Sequence, residues 1–228
     1  LADNFICTCA LTHANGTFND GGFAVEIFVS FTSNSGLTRA LTMAGTWTMT
    51  GTGTKWTVSS TGLTLTATGS TIVINDTTQG ASKVFTGGGM TYGNITFSGK
   101  NITVSTGQSN TFATMALNNL GDTTGVALPS TGTTTVTDFT STASSGNEAK
   151  LISTTAGNDA TLSRASGTTS VDWVSIKDSA AAGGASWYAG ANSTDVSGNS
   201  GWVFTAPPSA SGGMFFTNIL LERPYANQ

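Results

Sequence analysis

Apolar side chains alternate with threonine, serine or asparagine in short runs along most of this chain. The clearest runs are TWTMT (46–50), KWTVS (55–59), LTLTA (63–67), TIVIN (71–75), NITFS (94–98), NITVS (101–105), TTVTD (134–138) and VDWVSIKD (171–178). Strict alternation predicts β-strands with one buried and one solvated face. The segments between the runs, such as DTTQGASK (76–83), are rich in turn-forming residues. The pattern therefore predicts an all-β fold without crossover helices.

The apolar positions also repeat along the chain with a period of about 23 residues. One ladder passes through Phe5, Phe28, Met49, Ile72, Ile95, Met115, Phe139 and Leu162. A second ladder passes through Leu41, Leu63, Phe85, Val104, Val126, Leu151 and Val174. A single coil of this length cannot bury its own apolar face, so the repeat predicts a parallel β-helix, or β-solenoid, of stacked coils. A β-sandwich or jelly roll is the alternative, because it also has closely spaced strands, but it has no reason to repeat at this period.

The ends of a β-solenoid expose unpaired backbone, and they need covering. We therefore expect one domain, with the solenoid over 1–204 and a C-terminal cap over 183–204. We expect residues 205–228 to be a linker and a tail strand that contacts another subunit.

Composition excludes two classes of partner. Only 9% of the residues are charged, the formal net charge is −4 and the sequence pI is about 4.6. No basic patch is present for nucleic acid, and no apolar run approaches the roughly 20 residues that cross a bilayer. We expect neither nucleic-acid binding nor membrane insertion.

The two cysteines, Cys7 and Cys9, are separated by one residue. On a strand their side chains would point to the same face. A Cys-x-Cys disulfide is geometrically awkward, so we interpret them as two buried thiols. A metal site shared with His13, the single histidine, is the weaker hypothesis.

The segment GGASWYAGANSTDVSGNSGW (183–202) is the main candidate site. Trp187, Tyr188 and Trp202 could stack on sugar rings, with Asn192 as a hydrogen-bonding neighbour. The same aromatic side chains could instead plug the apolar interior of the last coil. Because the segment follows the last clear strand, we favour a lid with Trp187 and Trp202 as plugs, and ligand binding is the secondary hypothesis.

The same segment carries a possible calcium site. Asp195, Ser197 and Asn199 alternate oxygen ligands as the first half of a calcium loop does. The glycine expected at the sixth position is Ser200, and the closing glutamate is Ala206. A hydrogen-bonded turn is therefore the default interpretation, with no cofactor expected and calcium as the alternative.

Three longer segments carry a resemblance to a known group of proteins. They are RALTMAGTWTMTGTGTKW (39–56), FTGGGMTYGNITFSGKNITVSTGQSNTFATMAL (85–117) and ATLSRASGTTSVDWVSIKDSAAAGGASWYAGANSTDVSGNSGWVF (160–204). These segments resemble units of large phage-encoded and bacterial surface proteins. The resemblance implies a right-handed parallel β-helix with a structural or adhesive role in the virion or tail, and it supplies no catalytic residues.

The sequence and this resemblance together predict a non-enzymatic phage virion protein, located in the virion or outside the cell. It would be a fibre, spike or capsid decoration that serves host-surface attachment or display. We expect it to contact other virion proteins and a host-surface glycan, and to form a homo-oligomer, with a trimer favoured by analogy.

Two other functions remain alternatives. A polysaccharide lyase or hydrolase needs converging carboxylates, and Asp138, Asp172 and Asp178, with Lys177, form the best predicted cluster. A carbohydrate- or ice-binding module would use rows of threonine, as in TWTMTGTGT (46–54) and LTLTATGS (63–70).

Overall fold

The computed structural model describes residues 1–105 and 107–209. Over these residues the chain is an all-β, parallel solenoid of about eight turns with a period of ~23 residues, as the repeat predicts. The described part contains no helix that could span a membrane. The strands below are numbered in chain order.

Two nine-stranded parallel sheets run the length of the solenoid. The first contains β1 (Phe5–Cys7), β4 (Val25–Ile27), β7 (Thr46–Met49), β10 (Thr71–Ile74), β12 (Thr91–Phe97), β14 (Thr111–Leu117), β16 (Thr133–Thr140), β18 (Ala160–Arg164) and β21 (Ser179–Gly183). The second contains β2 (Ala10–Thr12), β5 (Ser30–Ser33), β8 (Gly53–Val58), β11 (Lys83–Thr86), β13 (Ile102–Val104), β15 (Val126–Leu128), β17 (Ala149–Ser153), β20 (Val174–Lys177) and β23 (Thr194–Ser197).

Two three-stranded parallel sheets complete the coils. Near the N-terminus lie β3 (Gly16–Asn19), β6 (Arg39–Thr42) and β9 (Leu63–Thr66). Near the C-terminus lie β19 (Thr168–Ser170), β22 (Ser186–Tyr188) and β24 (Trp202–Val203).

The long strands β12, β14 and β16 connect these sheets around a corner. The start of β16 pairs with β18, while the remainder of β16 lies against β19. The ring of Phe139, near the end of β16, contacts the rings of Trp187 and Trp202 in the fourth sheet. Each coil therefore presents three sides throughout the stack.

The interior is a set of apolar columns in strict register. One column runs through Phe5, Val25, Trp47, Ile72, Ile95, Met115 and Phe139. The predicted first ladder is confirmed from Ile72 to Phe139. It is wrong at Phe28, which is exposed at a corner, at Met49, which pairs with Ile74, and at Leu162, which pairs with Thr134.

The second predicted ladder is correct only in part. Phe85 pairs with Val104 and Val126 pairs with Leu151, but Leu41 and Leu63 lie in the third sheet. The coils differ in length: the step from Trp56 to Phe85 is 29 residues (85 − 56), whereas that from Ile176 to Asp195 is 19 (195 − 176). A ladder of positions drawn at a constant spacing therefore shifts from one side of the solenoid to another.

Three fully buried cations are part of this interior: Arg39, Lys55 and Lys83. The Lys55 ammonium donates to the carbonyls of Thr50 and Phe28 at 2.9 and 3.1 Å. The Lys83 ammonium lies 3.1 Å from a carboxylate oxygen of Asp76. Because each head group meets oxygen atoms of the corner loops, these cations close the core at the corners.

The cysteine prediction is wrong. Cys7 and Cys9 form a disulfide, and only Cys7 is buried. Because β1 ends at Cys7 and the chain turns there, the two Cα atoms are 5.2 Å apart, a separation that a disulfide spans readily. His13 instead contacts Ser33 Oγ and the Gly16 carbonyl, at 3.2 and 3.0 Å.

Candidate functional site

The segment 183–204 forms a further coil of the solenoid, which contains β22, β23 and β24. Trp187 and Trp202 are only 2% and 9% exposed, and their ring centroids lie 5.1 Å apart. Their indole N–H groups donate to the Ala182 carbonyl at 3.0 Å and to Ser179 Oγ at 3.1 Å. Both tryptophans therefore fill the interior of this coil, and their faces are not available to a ligand. The expected tail strand, 205–228, lies outside the described residues from 210 onward.

The other two residues of the predicted ligand site lie at the surface. Tyr188 is half-buried on β22, and Asn192 is exposed. The Asn192 side-chain amide donates to Asp172 Oδ2 at 2.7 Å, and its backbone N–H donates to Oδ1 at 2.9 Å. Asn192 thus holds a turn against Asp172, and a ligand role for this pair stays a prediction.

The Asp172 carboxylate is held in its ionised form. Burial raises its pKa, but hydrogen bonds from Asn192 and from the Trp173 backbone outweigh that effect and lower the pKa below its ordinary value. Trp173 has a φ of 58°, a conformation that is strained for a bulky residue. The hydrogen bond from its N–H to Asp172 Oδ1, at 3.0 Å, holds the chain at this corner.

Two of the three predicted calcium ligands, Asp195 and Asn199, are joined by a hydrogen bond, while the Ser197 carbonyl accepts from the Asp178 N–H at 2.8 Å. Asn199 Oδ1 accepts from the Ser179 N–H at 3.0 Å, and Asn199 Nδ2 donates to the Ile176 carbonyl at 2.8 Å. These two backbone groups fix the orientation of the amide, so its nitrogen faces Asp195 Oδ1 at 2.7 Å. A donor nitrogen therefore occupies the place where a calcium loop needs an oxygen.

The predicted carboxylate cluster does not assemble. Asp138 lies on β16 and forms an ion pair with Arg164 at 3.3 Å. Asp172 precedes β20, whereas Asp178 follows it, and Asp178 accepts from the Gly157 N–H at 3.1 Å. Lys177 stands beside Asp178, 4.0 Å away. Asp172 and Asp178 therefore lie at opposite ends of one strand of the second sheet, while Asp138 lies on a strand of the first sheet.

The outer surface of the first sheet carries a regular array that the linear sequence only partly revealed. We call face 1 the outward side of β7, β10 and the C-terminal halves of β12, β14 and β16. Its two columns are Thr46–Thr71–Asn94–Thr114–Asp138 and Thr48–Val73–Thr96–Ala116–Thr140. Neighbouring positions lie about 4.8 Å apart between strands and about 6.6 Å apart along a strand.

Face 1 is almost free of charge. Its single ionisable residue, Asp138, is paired with Arg164. Threonine presents a hydroxyl and a methyl group, so the array can both hydrogen-bond and make apolar contact. On the second sheet Thr12, Thr32, Thr57 and Thr86 also form a column, but Val84, Thr103, Ala127 and Ile152 form the column beside it. Face 1 is therefore the broader hydroxyl-bearing surface.

Two grooves flank the corners near the middle of the stack. The first, of about 380 Å³, lies where β9 meets the start of β12, and threonines 66, 68, 91, 111 and 137 surround it. The second, of about 440 Å³, is lined by Asn34, Ser59, Ser60, Gln108 and Ser109 among others. The first groove combines these hydroxyl groups with apolar side chains such as Leu65 and Phe112, the second combines hydroxyl and amide groups, and neither lining contains a charged side chain.

Comparisons of this chain with protein-family models, with curated proteins and with solved structures gave no match. Its function is therefore inferred from the geometry of the molecule itself.

Proposed function

We propose that this chain is a non-enzymatic structural component of a phage virion, as a fibre, spike or capsid decoration. It displays face 1 outward for attachment to a neutral glycan on the host surface. It works with other virion proteins and as an oligomer, outside the cell.

The observation that carries this proposal is the two-column threonine array of face 1. Six of its ten positions are threonine, and each side chain is placed by a strand of a nine-stranded parallel sheet. Rigid placement lowers the entropic cost of binding. An uncharged array of hydroxyl and methyl groups complements a neutral, hydroxyl-rich polymer better than a charged one.

The phage assignment is supported by the resemblance of residues 39–56, 85–117 and 160–204 to units of phage-encoded surface proteins. A β-solenoid with few charges and many hydrogen-bonded coils suits a protein that works outside a cell.

Introducing positive charge into the array tests the attachment role. We expect the double variant Thr71→Lys/Thr96→Lys, on face 1, to lose binding to a panel of immobilised neutral polysaccharides by about tenfold or more. The matched control is Thr32→Lys/Thr57→Lys on the second sheet, where both threonines are likewise half-buried. Equal losses from both pairs, or no binding by the unmodified protein, would count against attachment through face 1.

The same array favours one second candidate, an ice-binding surface. The threonine columns are interrupted by Asn94, Asp138, Val73 and Ala116, and an ice-binding plane needs a more continuous lattice match. Thermal hysteresis that disappears in Thr71→Lys/Thr96→Lys would support this candidate over glycan attachment. Shortening of a soluble polysaccharide during incubation would instead support the enzymatic alternative.

A further inference from the structure

The third sheet stops in the middle of the solenoid. Among residues 1–105 and 107–209, its last strand, β9, pairs with β6 alone. The next coil enters this side through the turn 87–89 and the first residues of β12. Because β12 pairs with β10 only from Asn94 onward, none of the described strands continues the sheet beyond β9. The wall of the solenoid therefore has a step here, and the first groove, called groove 1 below, lies in it.

The β9 wall of groove 1 presents backbone groups to it. The Arg39 N–H donates to the Gly62 carbonyl at 2.7 Å. The Met43 N–H donates to the Thr66 carbonyl, also at 2.7 Å. Because alternate residues of a strand direct their N–H and carbonyl groups to opposite neighbours, Leu65 directs both of its groups away from β6. Leu65 lines groove 1, so these groups face the step.

The start of β12 forms the facing wall. The Thr111 N–H donates to the Met90 carbonyl at 3.0 Å, and Thr91 pairs with Thr111 in register. By the same alternation, Thr91 directs its own N–H and carbonyl away from β14 and toward β9. Groove 1 therefore has a backbone donor and a backbone acceptor on each of two facing walls.

The turn 67–70 bounds one end of groove 1. The Asn94 N–H donates to the Ser70 carbonyl at 2.7 Å, which holds this turn against β12. A Cβ atom at Gly93 would overlap the carbonyl oxygens of Ala67 and Ser70. Only glycine therefore fits beneath the turn at position 93, and the groove has a fixed, closed end.

Groove 1 combines exposed hydroxyl groups with apolar surface. Thr66, Thr91 and Thr137 are exposed, and Leu65 and Ala113 lie between them. Its volume of about 380 Å³ falls within the roughly 300–1,000 Å³ of ligand pockets, which combine apolar surface with a few fixed polar groups. From β9 to Thr137 it crosses three strand spacings, about 14 Å, which suits a short chain of linked units.

Groove 1 also adjoins face 1. Its residues 93, 113 and 137 directly precede Asn94, Thr114 and Asp138, which belong to the first column of face 1. A polymer that lies on face 1 therefore reaches groove 1 without crossing another element.

A saccharide fits these walls better than a peptide strand. A hydroxyl group both donates and accepts, so one sugar hydroxyl can accept from the N–H of one wall and donate to the carbonyl of the other. An added peptide strand needs a run of outward backbone groups along one edge. The Leu63 N–H already donates to the Ser60 carbonyl at 3.1 Å, which leaves Leu65 as the outward N–H of β9. Among the described residues no charged side chain lines groove 1, so the saccharide is uncharged.

We propose that groove 1 is the anchoring subsite for a short, uncharged saccharide segment, whose hydroxyl groups bridge the backbone of Leu65 and Thr91. The inference rests on the proposed attachment to a neutral glycan, and it locates the tightest contacts beside face 1.

Titration calorimetry with short sugars tests this subsite. The probes are three neutral trisaccharides, maltotriose, cellotriose and triacetylchitotriose, and one charged trisaccharide, trigalacturonate. Thr91→Leu/Thr137→Leu narrows groove 1 and removes two of its hydroxyl groups. The matched control is Thr17→Leu/Thr64→Leu, which changes two exposed threonines on the outward side of the third sheet. The face 1 variant Thr71→Lys/Thr96→Lys is measured in parallel, and melting temperature checks that each variant folds.

We expect the unmodified protein, the control and the face 1 variant to bind one of the neutral trisaccharides with dissociation constants within about twofold of each other. The groove variant should bind the same trisaccharide at least about tenfold more weakly, and the unmodified protein should bind trigalacturonate at least about tenfold more weakly.

Unchanged binding by the groove variant, equal losses in the groove and control variants, or tighter binding of trigalacturonate would overturn the subsite. So would polysaccharide binding without any trisaccharide binding by the unmodified protein. In each of these cases, loss of polysaccharide binding in the face 1 variant would leave the proposed function standing. If the unmodified protein binds neither trisaccharides nor polysaccharides, both proposals are refuted.

Discussion

At the scale of single residues, a buried carboxylate organises the N-terminal coils. Asp20 is fully buried, and its oxygens accept from the N–H groups of Gly22, Ala44 and Gly45 at 2.9–3.0 Å. The indole N–H of Trp47 donates to Oδ2 at 2.8 Å. Burial raises the pKa of Asp20, but these hydrogen bonds together outweigh it and lower the pKa below its ordinary value.

This lowered pKa predicts a loss of stability in acid. The contribution of Asp20 is fully present above its unfolded pKa, about 3.9, and it is lost as the pH falls through the lower pKa of the folded state. Asp20→Asn places an amide nitrogen against N–H donors, so we expect it to reduce the free energy of unfolding by about 3 kcal/mol at pH 7. The difference between the two proteins should shrink in acid, which urea titrations at several pH values measure. An unchanged free energy at pH 7 would contradict this role.

At the scale of elements, the last coil is held by the tryptophans that plug it. We expect Trp187→Ala and Trp202→Ala each to lower the free energy of unfolding by about 3–5 kcal/mol, because each leaves a cavity. Tyr188→Ala, at the neighbouring outward position of β22, should change it by about 1 kcal/mol or less. Chemical denaturation measures all three. A small effect of both tryptophan variants, with loss of glycan binding, would restore the ligand-site interpretation.

The strands themselves could be predicted because alternation reports directly which side chains face the core. The register between coils could not, because it depends on corner lengths, and the corners vary without changing the strands they join. The burial of two cations could have been predicted from alternation. Arg39 in RALT and Lys83 in KVFT occupy the same inward-facing positions as Leu41 and Phe85. The burial of Lys55 could not be predicted in this way, because a register shift in the pairing of β8 with β11 interrupts the alternation at this residue.

At the scale of the whole molecule, the interior, corners and sides of the solenoid differ in character. The described coils are filled by apolar side chains, buried cations close several corners, and face 1 presents mainly uncharged hydroxyl groups. The position of 183–202 predicts a lid after the last strand, but residues 183–204 contain three further strands, β22, β23 and β24, and the two buried tryptophans fill the interior of that coil. Face 1 could be recognised only from the strand register between coils, because Thr71 and Thr114 share a column only through Asn94, which pairs with both. The carboxylate cluster failed because Asp172 and Asp178 lie at opposite ends of one strand.

The location of the protein in a phage particle tests the central proposal most directly. Antibodies raised against the purified chain would be applied to purified virions and examined by immunogold electron microscopy, with mass spectrometry of the same particles. We expect the protein to be a stoichiometric virion component and the label to lie on an exposed fibre, spike or capsid surface. Presence in the infected lysate but absence from the purified particles would contradict it.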